Sequence, residues 1–194
     1  NLLELIDTGE IGGIYKIEAS FGFKIKKIKK DSRLFNKDLG GGAILDVGCY
    51  PVSFFNLFCK KNEELKLIKS KGTFSFTGVD DESEAEISIG KNILASCKVS
   101  LKRYLDNSCT IYGKKGIINI PSPWLPAEKS YIEVIKGNSY YKKFTSTPKS
   151  IYSIQIENVS NSFSKKNDNI HQLVNINESI KIMKVLDMWK ENLL

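Results

Sequence analysis

Histidine occurs once in this chain, at 171, and arginine only twice, at 33 and 103, among 29 basic residues. The lone histidine has no cysteine or acidic ligand set beside it, which argues against a metal centre, and its place between KKNDNI and QLV suits a loop entering the last helix. The shortage of arginine removes most candidates for bidentate recognition of phosphates or bases. The cysteines, at 49, 59, 97 and 109, form neither a CxxC spacing nor a dense small-domain framework, so free thiols and no zinc site are expected. No run approaches the roughly 18 apolar residues of a membrane span, and no basic start with an apolar core resembles a secretion signal. The chain therefore reads as soluble and cytoplasmic, with no membrane partner. A dinucleotide fingerprint of the GxGxxG type is also missing, as is a GK[ST] phosphate loop.

What is present is positive charge and a great deal of alternation. The formal charge of +7 is densest in KIKKIKK at 24–30. Such a run could attract nucleic acid or an anionic surface. Ile25 and Ile28 interrupt it, however, and a solvated loop or strand end rimmed by lysines is the reading adopted, with no nucleic-acid partner.

A chain of 194 residues can bury a substantial core as one domain, or at most two small ones. Leu2, Leu3, Leu5 and Ile6 have the spacing of the last turns of a helix ending at Gly9, as in a piece excised from a longer polypeptide. GGIYKIEASFGF alternates with a period near two and predicts a strand over 13–23 with one face buried. Residues 24–40 read as a long connection. From about 65 to 145 strand follows strand, with turn signals TGVDD, IGKN, YLDN and GKKG and a hairpin around Gly137 and Asn138. Helical spacing returns at Tyr152, Ile156, Val159 and Phe163, then at Ile180, Met183, Leu186 and Trp189 behind an Asn177 cap. Many strands, few helices and no βαβ alternation predict an α+β fold. Its large open, predominantly antiparallel sheet is expected to carry helices packed on one face, near 44–58, 151–164 and 177–191.

The chemistry concentrates in RLFNKDLGGGAILDVGCYPVSFFNLF at 33–58. A phosphate cradle needs an apolar strand feeding the glycines, but DSRLFNKDL is mixed and polar, so the triplet is read as a tight turn or a close backbone approach. Asp46 sits in apolar surroundings where an ionised carboxylate needs partners. It suits either a substrate-orienting role or a backbone-capping role. Tyr50, four residues on, could donate to a substrate oxygen or could pack as a buried aromatic, and Pro51 means that the helix either begins there or passes through with a distortion. DDESE at 80–84 lacks calcium-loop spacing and reads as a solvated hairpin end, while Trp124 and Trp189 read as packing anchors.

Taken together, SRLFNKDLGGGAILDVGCYPVSFFNLF closely resembles the segment that opens the C-terminal domain of the Gfo/Idh/MocA oxidoreductases, in the branch of dimeric dihydrodiol and xylose dehydrogenases. LIDTGEIGGIYKIEASFGF, NILASCKVSL to IYGKKGIINIPSPW, and IYSIQIENVSNSF through NESIKIMKVLDMWKENL follow in the family's order, so the resemblance covers nearly the entire chain. It implies that 1–194 is the substrate-binding and dimerisation domain of a two-domain dehydrogenase whose N-terminal Rossmann domain is absent from this chain. The implied cofactor is NAD or NADP, bound in the parent and not by this fragment, and the implied substrate is a sugar, polyol or diol. The family's catalytic lysine, in a Glu-Lys-Pro setting, belongs to that other domain. Asp46 matches the family's active-site aspartate, and Tyr50 matches a position held by tyrosine in this branch and by histidine in many relatives. Arg33 falls where a loop approaches the cleft and is a candidate for substrate binding. A non-catalytic interaction domain derived from the same fold is the alternative.

The open sheet also suggests a homodimer. Ile87 and Ile89 share a parity with Ala85, and apolar groups occupy both parities at Ile111, Tyr112, Ile117, Ile118 and Ile120. The face carrying Ile87 and Ile89 is expected to meet a second copy.

Overall fold

Along the strand Asp80–Ile89, Ser83, Ala85, Ile87 and Ile89 are buried while Glu82, Glu84, Glu86 and Ser88 stay half-exposed, the signature of a sheet covered on one side. The computed structural model describes residues 2–60, 62–146, 149–163 and 174–193. Its strands are β1 (Ile14–Gly22), β2 (Leu65–Phe74), β3 (Asp80–Ile89), β4 (Ile93–Ser100), β5 (Ser108–Gly113), β6 (Gly116–Pro121), β7 (Lys129–Lys136) and β8 (Ser139–Ser146). They form one eight-stranded sheet in the order β2-β3-β4-β1-β5-β6-β7-β8. Only β1 and β4 pair in parallel; every other neighbour is antiparallel. The β7–β8 loop is Gly137-Asn138, with positive φ at its first residue, as a type II′ hairpin requires. The expected α+β fold with its open sheet is therefore present.

The helices are α1 (Leu2–Asp7), α2 (Cys49–Asn56), α3 (Ile151–Phe163) and α4 (Ile176–Glu191). α2 packs on β1, α4 packs on β2, and the two helices pack on each other. Beneath them Ile17, Ile87, Ile89, Val99, Ile111 and Ile118 meet Val52, Phe55, Val185, Leu186 and Trp189 in one core. Among the described residues no helix is long and apolar enough to cross a membrane.

Four expectations need correction. Ala85, Ile87 and Ile89 lie in this core under the helices, so they form no exposed dimer face. The acidic parity of β3 faces out instead, in a ladder of ion pairs: Glu86 with Lys69 at 2.9 Å, Glu84 with Lys71 at 3.0 Å and with Lys98, and Glu82 with Arg103 at 2.5 Å. Apolar groups on the open face gather at its other end, where half-buried Tyr112 and Ile117 and exposed Ile135 and Tyr140 form a row across β5 to β8.

The remaining corrections are local. α3 has the expected helical stripe, but none of its residues is buried and Phe163 is 84% exposed, so it does not cover the sheet. The last helix is capped by Asn175, not Asn177. Asn175 accepts from the backbone N–H groups of Asn177 and Glu178, and the Glu178 carboxylate accepts from the Asn175 N–H, which makes a capping box. DDESE is not uniformly solvated, because Asp80 is only 2% exposed. His171 lies outside the described residues. In the lysine run, Ile25 and Ile28 pack against the core while Lys24, Lys26, Lys27, Lys29 and Lys30 face solvent.

Candidate active site

The Asp46 side chain is held in a π-helical turn, Ile44–Gly48, that runs directly into α2. This answers the question raised by Pro51: the helix passes through it with a distortion upstream. Pro51 falls in the first turn of α2, where a missing N–H is tolerated, and the wide turn absorbs the change in pitch.

The chain reaches this turn through the glycine triplet, where space as well as backbone torsion is limiting. A Cβ on Gly41 would lie 2.8 Å from the carbonyl oxygens of Leu34 and Asn36 and 2.9 Å from that of Arg33, so the loop carrying Arg33 closes directly on it. The Gly41 N–H donates to Asn36 O at 2.9 Å and the Gly42 N–H to Leu34 O at 3.0 Å. Gly42 has φ 120°, and a Cβ there would fall 2.1 Å from Asp80 Oδ1. Asp80 Oδ2 in turn accepts the Ile44 N–H at 2.8 Å. A carboxylate thus fills the place that a phosphate would take, so these residues do not fit a dinucleotide.

Closure of the loop brings two of the three candidate residues into contact. Arg33 Nη1 donates to Asp46 Oδ1 at 2.6 Å, although they lie thirteen positions apart. The Asp46 side chain is 14% exposed and that of Arg33 72%, so a nearly buried carboxylate is covered by a largely solvent-exposed guanidinium. Tyr50 stands beside them, partly exposed, with its ring edge-on to Phe21 at 5.0 Å and to Trp124 at 6.4 Å. Phe21 and Trp124 stack at 6.1 Å, and the Trp124 indole N–H donates to Ser20 O at 2.7 Å, which fixes the platform. Trp124 is thus the anchor its sequence suggested.

Tyr50 holds its proton more firmly than a free phenol. Partial burial is the main cause, followed by the neighbouring Cys49 and Asp46, with Tyr152 of α3 adding to the effect and Arg33 opposing it. At neutral pH Tyr50 is therefore a hydrogen-bond donor. The Cys49 thiol is also pushed up, by burial and then by Asp46, and its Sγ donates weakly to Asp46 O at 3.6 Å, so it is a poor nucleophile. The arrangement offers an acceptor, a neutral donor and an exposed cation at one aromatic-lined surface. That combination suits a neutral, hydroxyl-bearing ligand.

Sequence reasoning missed Asp80. Strand parity would bury Asp81 with Ser83 and Ala85, but the β2–β3 register shifts between Thr73 and Phe74 and turns Asp80 inward. No spacing in the sequence announces that shift.

The chain was also compared with known proteins. The chain is 36% identical over 123 residues to the trans-1,2-dihydrobenzene-1,2-diol dehydrogenase of Xenopus tropicalis, covering 63% of this chain and 36% of that protein. The enzyme of the same name from Homo sapiens is 28% identical over 150 residues, covering 76% and 41%. The chain thus spans well under half the length of these relatives. The fold matches an aldose-aldose oxidoreductase from Caulobacter crescentus complexed with glycerol (TM-score 0.81, 17% identity, 98% of this chain and 56% of that one). It also matches a 3-ketoreductase from Actinomadura kijaniata complexed with NADP (TM-score 0.79, 16% identity, 99% and 56%). The family model of the GFO/IDH/MocA C-terminal domain matches residues 1–119, from α1 through most of β6 and including Arg33, Asp46 and Tyr50, and the chain belongs to that oxidoreductase family.

Proposed function

We propose that this chain is the substrate-side domain of an NAD- or NADP-dependent oxidoreductase acting on a sugar, polyol or diol. The observation that carries this reading is the Arg33–Asp46 pair beside Tyr50, within the stretch matched by the family. Asp46 accepts from a substrate hydroxyl and fixes its orientation. Tyr50, neutral at physiological pH, donates to the reacting or adjacent oxygen. Arg33 swings between Asp46 and the substrate. The principal proton-transfer group is the lysine that the resemblance places in the Rossmann domain, and the nicotinamide cofactor is bound there, since the glycine triplet here is closed by Asp80. Residues 1–194 alone then bind dinucleotide poorly and turn nothing over.

The test uses the full-length enzyme with a panel of sugars, polyols and diols and both cofactors. Reduction or oxidation of the nicotinamide should be seen with at least one substrate. Asp46→Asn and Tyr50→Phe should each lower kcat by about 10²–10⁴-fold, whereas Arg33→Ala should act mainly on KM. Turnover indifferent to Asp46→Asn would overturn the assignment. Calorimetric titration of the fragment with each cofactor checks the other half, and tight binding would contradict it.

We also propose a homodimer through the open sheet, seated on the Tyr112–Ile117–Ile135–Tyr140 row with Phe144 beside it. Sedimentation across a concentration series should show a dimer that Ile135→Lys dissociates. A dimer untouched by that change would exclude this end of the face.

A further inference from the structure

Asp80 is the one buried carboxylate in the described part of the molecule, and the roles proposed above do not use it. It opens β3, on the far side of the glycine triplet from Arg33, and accepts the Ile44 N–H where the π-helical turn begins. Burial raises its pKa, while the N–H groups of Ile44, Asp80 itself and Ala43, and the charge of Lys190, pull the other way. The carboxylate thus sits against donors on one side. On the other, Gly42 leaves it just enough room, since any side chain there would strike Oδ1.

The consequence concerns Asp46. Its own N–H donates to Gly42 O at 3.1 Å, so the peptide that bounds the Asp80 pocket is also the first acceptor of the turn that carries Asp46. From that same turn the chain runs on to Tyr50. We propose that Asp80 is a positioning residue for this site. It anchors the start of the π-helical turn to the sheet, so that the Asp46 carboxylate and the Tyr50 hydroxyl are presented to one substrate. This inference rests on the functional reading above for its catalytic part. Its structural part stands independently.

The experiment keeps the two parts separable. In the full-length enzyme, amide hydrogen exchange is followed over residues 42–50 and over β5 and β6, alongside kcat and KM. Asp80→Ala should speed exchange at 43–50 by about tenfold relative to β5 and β6, as expected for a lost cap. It should also lower kcat about tenfold to a hundredfold, as misplacement of a reacting group does, with KM within about threefold. Asp80→Asn keeps an acceptor for Ile44 and should restore both readouts most of the way.

Should Asp80→Ala not fold, Gly42→Ala displaces the carboxylate from its other side and should give the same local exchange pattern. Gly40→Ala is the control. It also has positive φ, but at 71° in the left-handed region that a side chain can adopt rather than the 120° of Gly42, and its Cβ would meet nothing nearer than Leu45 Cδ1 at 3.7 Å, so it reports the milder cost of losing a loop glycine with the carboxylate undisturbed. The proposal is overturned if exchange rises uniformly over turn and sheet, if the Asn variant is no better than Ala, or if Gly42→Ala matches Gly40→Ala. A wild-type enzyme without nicotinamide turnover would sink the functional reading and leave the exchange result to decide the positioning role.

Discussion

Replacing Gly48 by alanine tests the packing beneath the site, because two effects of similar size oppose each other there. Gly48 ends the π-helical turn, and alanine in its place would favour helical backbone by about 1 kcal/mol. Its Cβ, however, would lie 3.2 Å from Cζ3 of Trp189, tighter than an ordinary contact. The indole cannot retreat. It is fully buried, and its N–H donates at 2.8 Å to Ser83 Oγ, which itself donates to Lys71 O at 2.9 Å. Overpacking against a fixed ring costs about 1–3 kcal/mol, so Gly48→Ala should destabilise by about 1 kcal/mol net. Trp189→Phe loses the hydrogen bond, worth about 1 kcal/mol, and leaves a small cavity, for about 2–3 kcal/mol in all. In that background the atoms that blocked the new methyl are gone, and Gly48→Ala should become stabilising by up to about 1 kcal/mol. Urea midpoints of the four proteins, with unchanged m-values, give the coupling. Effects that add within about 0.5 kcal/mol would show that the ring does not press on Gly48 and would refute the reasoning.

Adjacent residues of β3 should respond in opposite ways. Ile87→Lys places an ammonium in the core and should abolish folding, whereas Glu86→Lys loses one exposed pair with Lys69 and should lower the stability measured by urea unfolding by about 1 kcal/mol or less. Asn175→Ala removes the capping box and should cost about 1 kcal/mol in thermal or urea melts, while Asn177→Ala should be nearly neutral. The carboxylates of Glu82, beside Arg103, and Glu84, beside Lys98, are held below the usual glutamate range. Their stabilisation is therefore fully present above about pH 4.3 and lost as pH falls through the depressed values. Glu82→Gln and Glu84→Gln should flatten that acid limb in melts recorded against pH, and salt should weaken it.

The strands were legible because one face of each is wet and the other dry, and alternation survives in single-sequence form at Glu82-Ser83-Glu84-Ala85-Glu86-Ile87. What alternation does not state is which partner covers the dry parity. Alternation fits Ile87 and Ile89 to a second copy as well as to the core they occupy beneath the helices, and the apolar row on the open face lies instead where both parities are apolar, half-buried at Tyr112 and Ile117 and exposed at Ile135 and Tyr140. The Asn175 cap had a readable signal. Glu178 is three residues after Asn175 but only one after Asn177, and only the first spacing closes a capping box. The pairing of Arg33 with Asp46 had none, since no helical or strand period links positions thirteen apart. Family resemblance, not periodicity, pointed to those residues.

The glycine triplet shows why the site could be found in the sequence before its construction was understood. Three glycines in a row advertise backbone freedom, and a nucleotide cradle is the familiar use of it. Here Gly41 is excluded from bearing a side chain by the carbonyls of Arg33, Leu34 and Asn36, and Gly42 by the carboxylate of Asp80. The first constraint sets where Arg33 lies and the second sets where the Asp46 turn begins, so the pair at 2.6 Å is a consequence of two close approaches made by neighbouring residues. A methyl at either position would separate cation from carboxylate without touching either one. A substitution at Gly41 or Gly42 should accordingly resemble loss of Arg33 or Asp46 themselves, although neither glycine has a group that could meet a substrate.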